Sequence, residues 1–260
     1  MKAIVLAAAI AMLPGAALAG GPFDGTWKID TGTAGAPDKP NVFLLQDGIF
    51  ACKSCAPPFA VAADGTDHPV SGNSYFDRVT ITVVDARHIV ETESKASNAV
   101  FVYTMSVSAD GQTLTTVLDD RSAANGVPAG GTIIQARVTQ GPAGAHAVSG
   151  EWHAIKYEGF SDSAITFTLR LDGDRFSFSQ PTGQSYTATL GGPAVPYFGD
   201  PGITTVSATR AGADTVVETD MRDGKIVSTN SMTTHDGKTL AVTFVDELRG
   251  STQSFAAIKQ

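Results

Sequence analysis

Short runs of alternating apolar and polar residues fill the chain after residue 20, and helical periodicity is hard to find there. The runs are rich in β-branched residues, as at positions 79–84, 101–107 and 113–117. Asp-Gly, Gly-Gly and Pro residues separate them at intervals of roughly eight to twelve residues. This pattern is typical of an all-β sandwich or barrel. Parallel α/β folds are excluded because no room is left for helical crossovers.

The second half of the chain repeats the first. Matching segments keep one order and an offset of 125 to 127 residues: Gly-x-Trp at 25–27 and 150–152, a Val-Glu-Thr run at 90–92 and 217–219, and Asp-Gly-x-Thr-Leu at 110–114 and 236–240. Asp47-Gly48 with Phe50 also recurs as Asp172-Gly173 with Phe176 after one insertion, and Asp120 recurs as Asp246. Five such matches in one order indicate a tandem duplication. We therefore predict a first β-barrel repeat at 20–140, a linker at 141–147 that is rich in Gly, Pro and Ala, and a second β-barrel repeat at 148–260.

Hairpin turns in the second repeat indicate how its strands pair. Asp223-Gly224 and Asp236-Gly237 each lie between two β runs, and Asp-Gly tolerates the positive φ angles of a type I′ turn. Ser97-Asn98 is the matching turn in the first repeat. Each repeat holds roughly seven to nine short strands, and closure into a barrel removes the sheet edges. We predict two tandem antiparallel up-and-down barrels, each able to fold alone.

The first 19 residues resemble an export signal. Lys2 precedes an apolar run at 3–13, and Ala17-Leu18-Ala19 has the small-x-small pattern of a secretory cleavage site. We expect cleavage after Ala19 and a periplasmic or secreted location. The apolar run is too short to span a bilayer, and we expect no transmembrane segment elsewhere.

Composition narrows the function classes. Apolar residues make up 42% and charged residues 17% of the chain, which is typical of a globular protein. The net charge of −8 and the absence of a basic patch argue against a nucleic-acid partner.

A Gly-x-Trp motif that begins an eight-stranded meander resembles the lipocalin and calycin barrels. In that family the tryptophan packs across the closed end of the barrel, and a basic residue near the last strand lies against it. The resemblance implies that Arg137 covers Trp27 and that Lys259 covers Trp152, where lysine replaces the family's usual arginine.

The whole chain is also similar to a group of exported bacterial proteins of unknown function. That group shares a Cys-x-x-Cys-x-Pro-Pro segment, a Pro-Val/Pro-Tyr loop and a repeated Asp-Gly-Lys-Thr turn. The matching segments here are residues 52–58, 69–75 and 236–239. This second resemblance implies no activity.

Cys52 and Cys55 form the sharpest local motif. An exported protein meets an oxidising compartment, which favours a local structural disulfide. A redox-active pair is an alternative, although no helix pattern follows the motif. Metal binding is another alternative, but neither a second Cys pair nor a His pair lies at metal-ligand spacing, so no metal and no cofactor are predicted.

Aromatic residues occupy equivalent loops in the two repeats: Tyr75 and Phe76 in the first, Tyr197 and Phe198 in the second. Aromatics at a barrel mouth can line a ligand entrance. The alternative is that they plug the end of the barrel.

No motif commits the chain to catalysis. The adjacent acidic pairs Asp119-Asp120 and Asp246-Glu247 point to opposite faces of a strand, so they are interpreted as solvated strand ends.

Three functional hypotheses follow. The leading one is an exported binding protein that carries an apolar small molecule in a barrel cavity. The first alternative is a structural or interaction module with side-chain-filled barrels that binds another protein of the cell envelope. The second alternative is a small-substrate enzyme that uses the cavity, which would require titratable groups converging there.

Overall fold

The structure is a computed structural model and describes residues 21–260. The signal peptide predicted for residues 1–19 lies outside these residues. Within them the predicted all-β fold is confirmed: antiparallel strands form two sheets of ten strands, and each sheet nearly closes into a barrel. A 3-10 helix (Thr31–Thr33) and helix α1 (Asp162–Ile165) lie in connections between strands.

The strands, in chain order, are β1 (Gly25–Asp30), β2 (Asn41–Gln46), β3 (Ile49–Cys52), β4 (Phe59–Ala62), β5 (Asp67–Pro69), β6 (Arg78–Asp85), β7 (His88–Lys95), β8 (Asn98–Val107), β9 (Thr113–Asp120), β10 (Ala129–Gln140), β11 (Gly150–Glu158), β12 (Thr166–Asp172), β13 (Arg175–Ser179), β14 (Ser185–Thr189), β15 (Val195–Pro196), β16 (Thr205–Arg210), β17 (Thr215–Arg222), β18 (Lys225–Thr233), β19 (Thr239–Asp246) and β20 (Ser251–Lys259). The first barrel has the strand order β4-β3-β2-β11-β10-β9-β8-β7-β6-β5. The second barrel has the order β14-β13-β12-β1-β20-β19-β18-β17-β16-β15.

Backbone hydrogen bonds bring the ends of each sheet together. In the second barrel Ser185 and Phe198 exchange two such bonds, of 3.0 and 3.1 Å. In the first barrel the N–H of Gly65 donates to the carbonyl of Ile81 at 3.0 Å. Each sheet has ten strands rather than the predicted seven to nine, because short strands such as β5 and β15 extend the edges.

The two barrels exchange their first strands. Strand β1, which carries Trp27, lies between β12 and β20 of the second barrel. Strand β11, which carries Trp152, lies between β10 and β2 of the first barrel. Each barrel therefore differs from the predicted repeats 20–140 and 148–260 by one strand. The Gly-x-Trp strand of one repeat completes the barrel built by the other repeat.

The predicted linker is also corrected by this topology. Residues 141–147 belong to a loop that joins β10 to its antiparallel neighbour β11, so they connect strands within one barrel. The chain instead crosses between barrels at 31–40 and at 159–165. Both crossings are held by hydrogen bonds: Gly35 N–H donates to the Ser254 carbonyl at 2.9 Å, and Ser161 N–H to the Gly130 carbonyl at 3.0 Å.

The structure confirms one predicted hairpin turn and corrects two. At Asp236-Gly237 only the glycine has a positive φ angle, of 65°, and a five-residue connection joins β18 to β19. Asp223 and Gly224 both have positive φ angles, of 52° and 77°, between β17 and β18, as a type I′ turn requires. In the first barrel the positive angles fall at Ala96 and Ser97, of 48° and 68°, one residue before the predicted Ser97-Asn98 turn.

Candidate functional site

A basic side chain lies over each tryptophan at one end of each barrel. The Arg137 guanidinium carbon is 3.9 Å from the centre of the Trp152 ring, and Lys259 Nζ is 4.9 Å from that of Trp27. The implied partners, Arg137 with Trp27 and Lys259 with Trp152, are therefore reversed. The strand exchange is the reason, because it places each tryptophan beside the last long strand of the other repeat.

Cys52 and Cys55 form the predicted disulfide. Cys52 ends β3 and is fully buried, and the bridge lies in the wall of the first barrel's cavity. The disulfide therefore shapes the cavity.

The four predicted mouth aromatics occupy different environments. Tyr75 lines the cavities of both barrels, and its hydroxyl donates to Asp200 Oδ1 at 2.8 Å. Phe76 is buried and lines the first cavity, and Tyr197 lines the second. Phe198 is 61% exposed and lines neither cavity. Tyr75, Ala56 and Arg249 line both cavities, so the two mouths face each other.

The first cavity, inside the first barrel, has a volume of about 500 Å³. Its wall is mainly apolar and aromatic, and its large apolar and aromatic lining residues are Phe43, Phe76, Phe101, Tyr103, Met105, Ile133, Trp152 and Tyr157. Such a size and lining are typical of small-molecule sites. The second cavity, inside the second barrel, has a volume of about 470 Å³.

Two carboxyl groups point into the first cavity from β7. Glu91 and Glu93 are two residues apart, so they share the inward face of the strand with buried Ile89. They are only 4% and 5% exposed. Within residues 21–260, neither side chain makes a hydrogen bond or an ion pair.

The environment keeps these carboxyls protonated at neutral pH. Burial raises the pKa of Glu91 from 4.5 to about 8. Burial, with a smaller contribution from the Glu91 charge, raises the pKa of Glu93 to about 9. Both shifts have the same cause, desolvation of the charged form. The pair is therefore a neutral polar patch with unused hydrogen-bonding capacity.

The second barrel carries an acidic pair at the equivalent place. Glu218 lies opposite Asn230 and Ala208, as Glu91 lies opposite Tyr103 and Ile81. Asp220 follows Glu218 at the spacing of Glu93 and Glu91. The acidic pair is thus a feature of both repeats.

Hydrogen bonds occupy the second pair. Tyr186 donates its hydroxyl to Glu218, and Asn230 Nδ2 donates to Glu218 Oε1 at 3.1 Å. The Ser228 hydroxyl donates to Asp220 Oδ2 at 2.7 Å. Burial raises the pKa of both Glu218 and Asp220.

The register identifies why the first pair lacks these partners. Phe59 lies opposite Cys52 as Tyr186 lies opposite Phe178, so the first barrel has no hydroxyl there. Phe101, opposite Glu93, occupies the position of Ser228 and carries no donor. Tyr103 replaces Asn230, and its hydroxyl makes no hydrogen bond to any described residue.

Neither inward acidic pair was predicted from the sequence. The adjacent carboxyls interpreted above as solvated strand ends are partly exposed: Asp119 pairs with Arg121 at 2.5 Å. Asp246 accepts backbone N–H groups of the following turn and also lines the second cavity. Acidic residues at i and i+2, in phase with a buried apolar residue, would have been the informative pattern.

The chain matches no known family model, no curated protein and no solved structure. The lipocalin resemblance therefore remains a prediction. No helix in residues 21–260 is long and apolar enough to cross a membrane. In the same part of the chain, no three His, Cys, Asp or Glu side chains come together as a metal-binding group.

Proposed function

We propose that the protein is an exported binding protein that holds an apolar small molecule in the first cavity. The observation that carries the proposal is an apolar and aromatic cavity of about 500 Å³ containing two buried carboxyls without partners. Ligand sites combine apolar walls with a few polar groups that fix orientation. The Cys52–Cys55 disulfide supports an oxidising compartment, where such bonds persist.

The carboxyl environment favours binding over catalysis. General acid–base work by two carboxyls needs environments that push their pKa values apart. Here the pKa of Glu91 and that of Glu93 are both raised, to about 8 and about 9, mainly by burial. The two groups are thus both protonated at neutral pH, and neither is set apart as an ionised base.

The cavity also favours binding over a side-chain-filled module. Ala154, two residues after Trp152, lies in the first cavity, whereas the equivalent Ile29 lies in the second. The smaller side chain leaves room on the wall of the first cavity. We therefore assign the ligand to the first barrel.

Native mass spectrometry of the protein purified from its source tests the proposal. We expect a mass excess on the order of a few hundred daltons, lost on denaturation. In Ala154→Phe, which fills the first cavity, the excess should vanish. Ile155→Phe is the matched control, because residue 155 is 62% exposed on the opposite face of the strand, and the excess should remain.

A clean apo mass for the wild-type protein would contradict the proposal and favour an interaction module that binds an envelope partner. Far-UV circular dichroism of Ala154→Phe establishes that the variant is folded. An unchanged mass excess in folded Ala154→Phe would place the ligand elsewhere and also contradict the proposal.

A further inference from the structure

We propose that the ligand of the first cavity is an organic cation, an apolar body bearing an ammonium group that Glu91 and Glu93 bind. This inference rests on the proposed function and names the ligand class. It is carried by the two buried side chains that point into the cavity without partners.

Among residues 21–260, no basic side chain pairs with Glu91 or Glu93. Lys39 and Arg249 are the basic residues that line the first cavity, and both are engaged at its mouth. Lys39 Nζ donates to the Arg249 carbonyl at 2.9 Å, and Arg249 donates to Asn41 Oδ1 at 3.2 Å and to the Pro40 carbonyl at 3.3 Å. Within the described part of the chain, the position beside Glu91 and Glu93 is therefore left open for a cationic ligand, which would pair with one carboxyl in its ionised form.

Tyrosines are the other titratable groups in the wall. Tyr75 donates to Asp200, and Tyr157 accepts a hydrogen bond from Gln253 at 3.0 Å. Tyr103 lies directly opposite Glu91, and burial raises its pKa well above the usual value, so it stays neutral. None of these groups supplies positive charge near the acidic pair.

The aromatic wall favours a cation over an anion. Phe101 lies opposite Glu93, with its ring centre 6.3 Å from that of Tyr103 and 6.1 Å from that of Tyr75. Aromatic faces attract ammonium groups, most strongly where water is excluded. Carboxyls at one point of an aromatic cavity thus match a ligand with a charged head and an apolar body.

The number of protons released on binding tests the inference independently of affinity. The free protein holds both carboxyls protonated at neutral pH. When an ammonium group binds, one carboxyl O–H bond breaks, the proton goes to solvent, and the carboxylate pairs with the cation. Binding of a cation should release about one proton, whereas binding of a neutral molecule should release none.

Isothermal titration of the full chain at pH 7 with three probes of one shape tests the inference. The probes are 4-phenylbutylamine, 4-phenylbutanol and 4-phenylbutanoate, which carry a cationic, a neutral and an anionic head. We expect the amine to bind at least about tenfold more tightly than the alcohol. Titrations in buffers of different ionisation enthalpy give the number of protons released.

Matched Glu→Gln variants in the two barrels test which acidic pair binds the amine. Glu91→Gln and Glu93→Gln keep the shape of a neutral carboxyl, so the fold should persist while amine affinity falls about tenfold and alcohol affinity is unchanged. Glu218→Gln, the same change in the second barrel, should leave both affinities unchanged. Calcium chloride alone tests an inorganic cation, and its tight binding with no amine preference would overturn the inference.

Failure of the inference and failure of the proposed function are distinguishable. Equal affinities for amine and alcohol would overturn the cation assignment and leave a neutral apolar ligand. An amine preference that persists in the double variant Glu91→Gln/Glu93→Gln would overturn the role of these residues. If no probe binds and the native mass is that of the apo protein, the proposed function falls as well.

Discussion

Glu91 of the first barrel and Glu218 of the second occupy the same register position, but only Glu218 is hydrogen-bonded among the described residues. Equivalent carboxyls of the two repeats therefore have different hydrogen-bonding environments within one chain. In the second barrel the carboxyl also lines a cavity, but it accepts hydrogen bonds from Tyr186 and Asn230. In the first barrel it faces a cavity with its hydrogen-bonding capacity unused.

Tyr186→Phe should destabilise the second barrel. The Tyr186 hydroxyl donates to the fully buried Glu218, and its removal leaves a carboxyl oxygen without that donor. We expect the free energy of unfolding in urea to fall by about 1–3 kcal/mol. Tyr197→Phe is the control, since that hydroxyl makes no hydrogen bond within residues 21–260, and it should change stability by less than about 0.5 kcal/mol. Equal losses would contradict the network.

Phe59→Tyr should make the first barrel resemble the second. Residue 59 holds the register position of Tyr186, so the new hydroxyl can donate to Glu91. We expect affinity for 4-phenylbutylamine to fall about tenfold, because the ligand then competes with an internal partner. Affinity for 4-phenylbutanol is the internal control and should change less than that for the amine. A uniform loss for both probes would indicate simple blocking of the cavity.

Stability of the ligand-free protein should fall as pH rises. The pKa of Glu91 and that of Glu93 are raised from 4.5 to about 8 and about 9, so the folded state holds more protons than the unfolded state across this window. Their contribution is complete below pH 4.5 and is lost as pH rises through 8 to 9. The slope for each carboxyl is up to about 1.4 kcal/mol per pH unit. Urea unfolding at pH 5 to 9 measures this pH dependence of the free energy of unfolding.

Glu91→Gln should reduce only in part the fall in the free energy of unfolding with rising pH. Glu218 and Asp220, whose pKa values are also raised by burial, keep a slope of the same sign. Glu247→Gln, at an exposed residue, is the control and should leave the slope unchanged. A wild-type protein whose stability is constant from pH 5 to 9 would contradict the neutral state of the buried carboxyls.

Arg137→Ala should cost more stability than Lys259→Ala. Arg137 covers Trp152 and also donates to the Ser149 and Ala147 carbonyls, both at 2.7 Å. Lys259 covers Trp27 from a greater distance and makes one 3.3 Å hydrogen bond to a carbonyl. We expect a loss of roughly 2 kcal/mol or more for Arg137→Ala and about 1 kcal/mol or less for Lys259→Ala. Thermal and urea unfolding compare them, with Arg137→Lys expected to fall between.

Alternation and Asp-Gly turns are local, so they predicted the all-β fold and the turn at Asp223-Gly224. The strand exchange is not local. The strands at Trp27 and Trp152 share the Gly-x-Trp motif, so the motif alone does not indicate which barrel each strand joins. Strands adjacent in sequence usually pair, and β10 pairs with β11 through one hairpin loop. Because β11 then belongs to the first barrel, β1 fills the equivalent strand position in the second barrel.

The acidic pair at Glu91 and Glu93 could have been predicted from its alternation with Ile89, which places all three on one face. Its lack of partners could not. That property depends on which residues stand where the second barrel has its donors. Phe59 holds the register position of Tyr186, and Phe101 lies opposite Glu93 as Ser228 lies opposite Asp220. Register is set by pairing across the sheet and is not visible in the local sequence.

A piece of the chain cut at barrel boundaries should fold better than one cut at repeat boundaries. Residues 41–158 contain β2 to β11, the whole first barrel, whereas residues 21–140 lack β11 and carry β1 of the second barrel instead. Without β11, strands β2 and β10 lose their shared neighbour and the cavity loses Trp152. We expect cooperative urea unfolding with a β-type circular dichroism spectrum for 41–158, and a broad transition for 21–140. Equally cooperative unfolding of 21–140 would contradict the exchange, because that piece could then close a barrel with its own first strand.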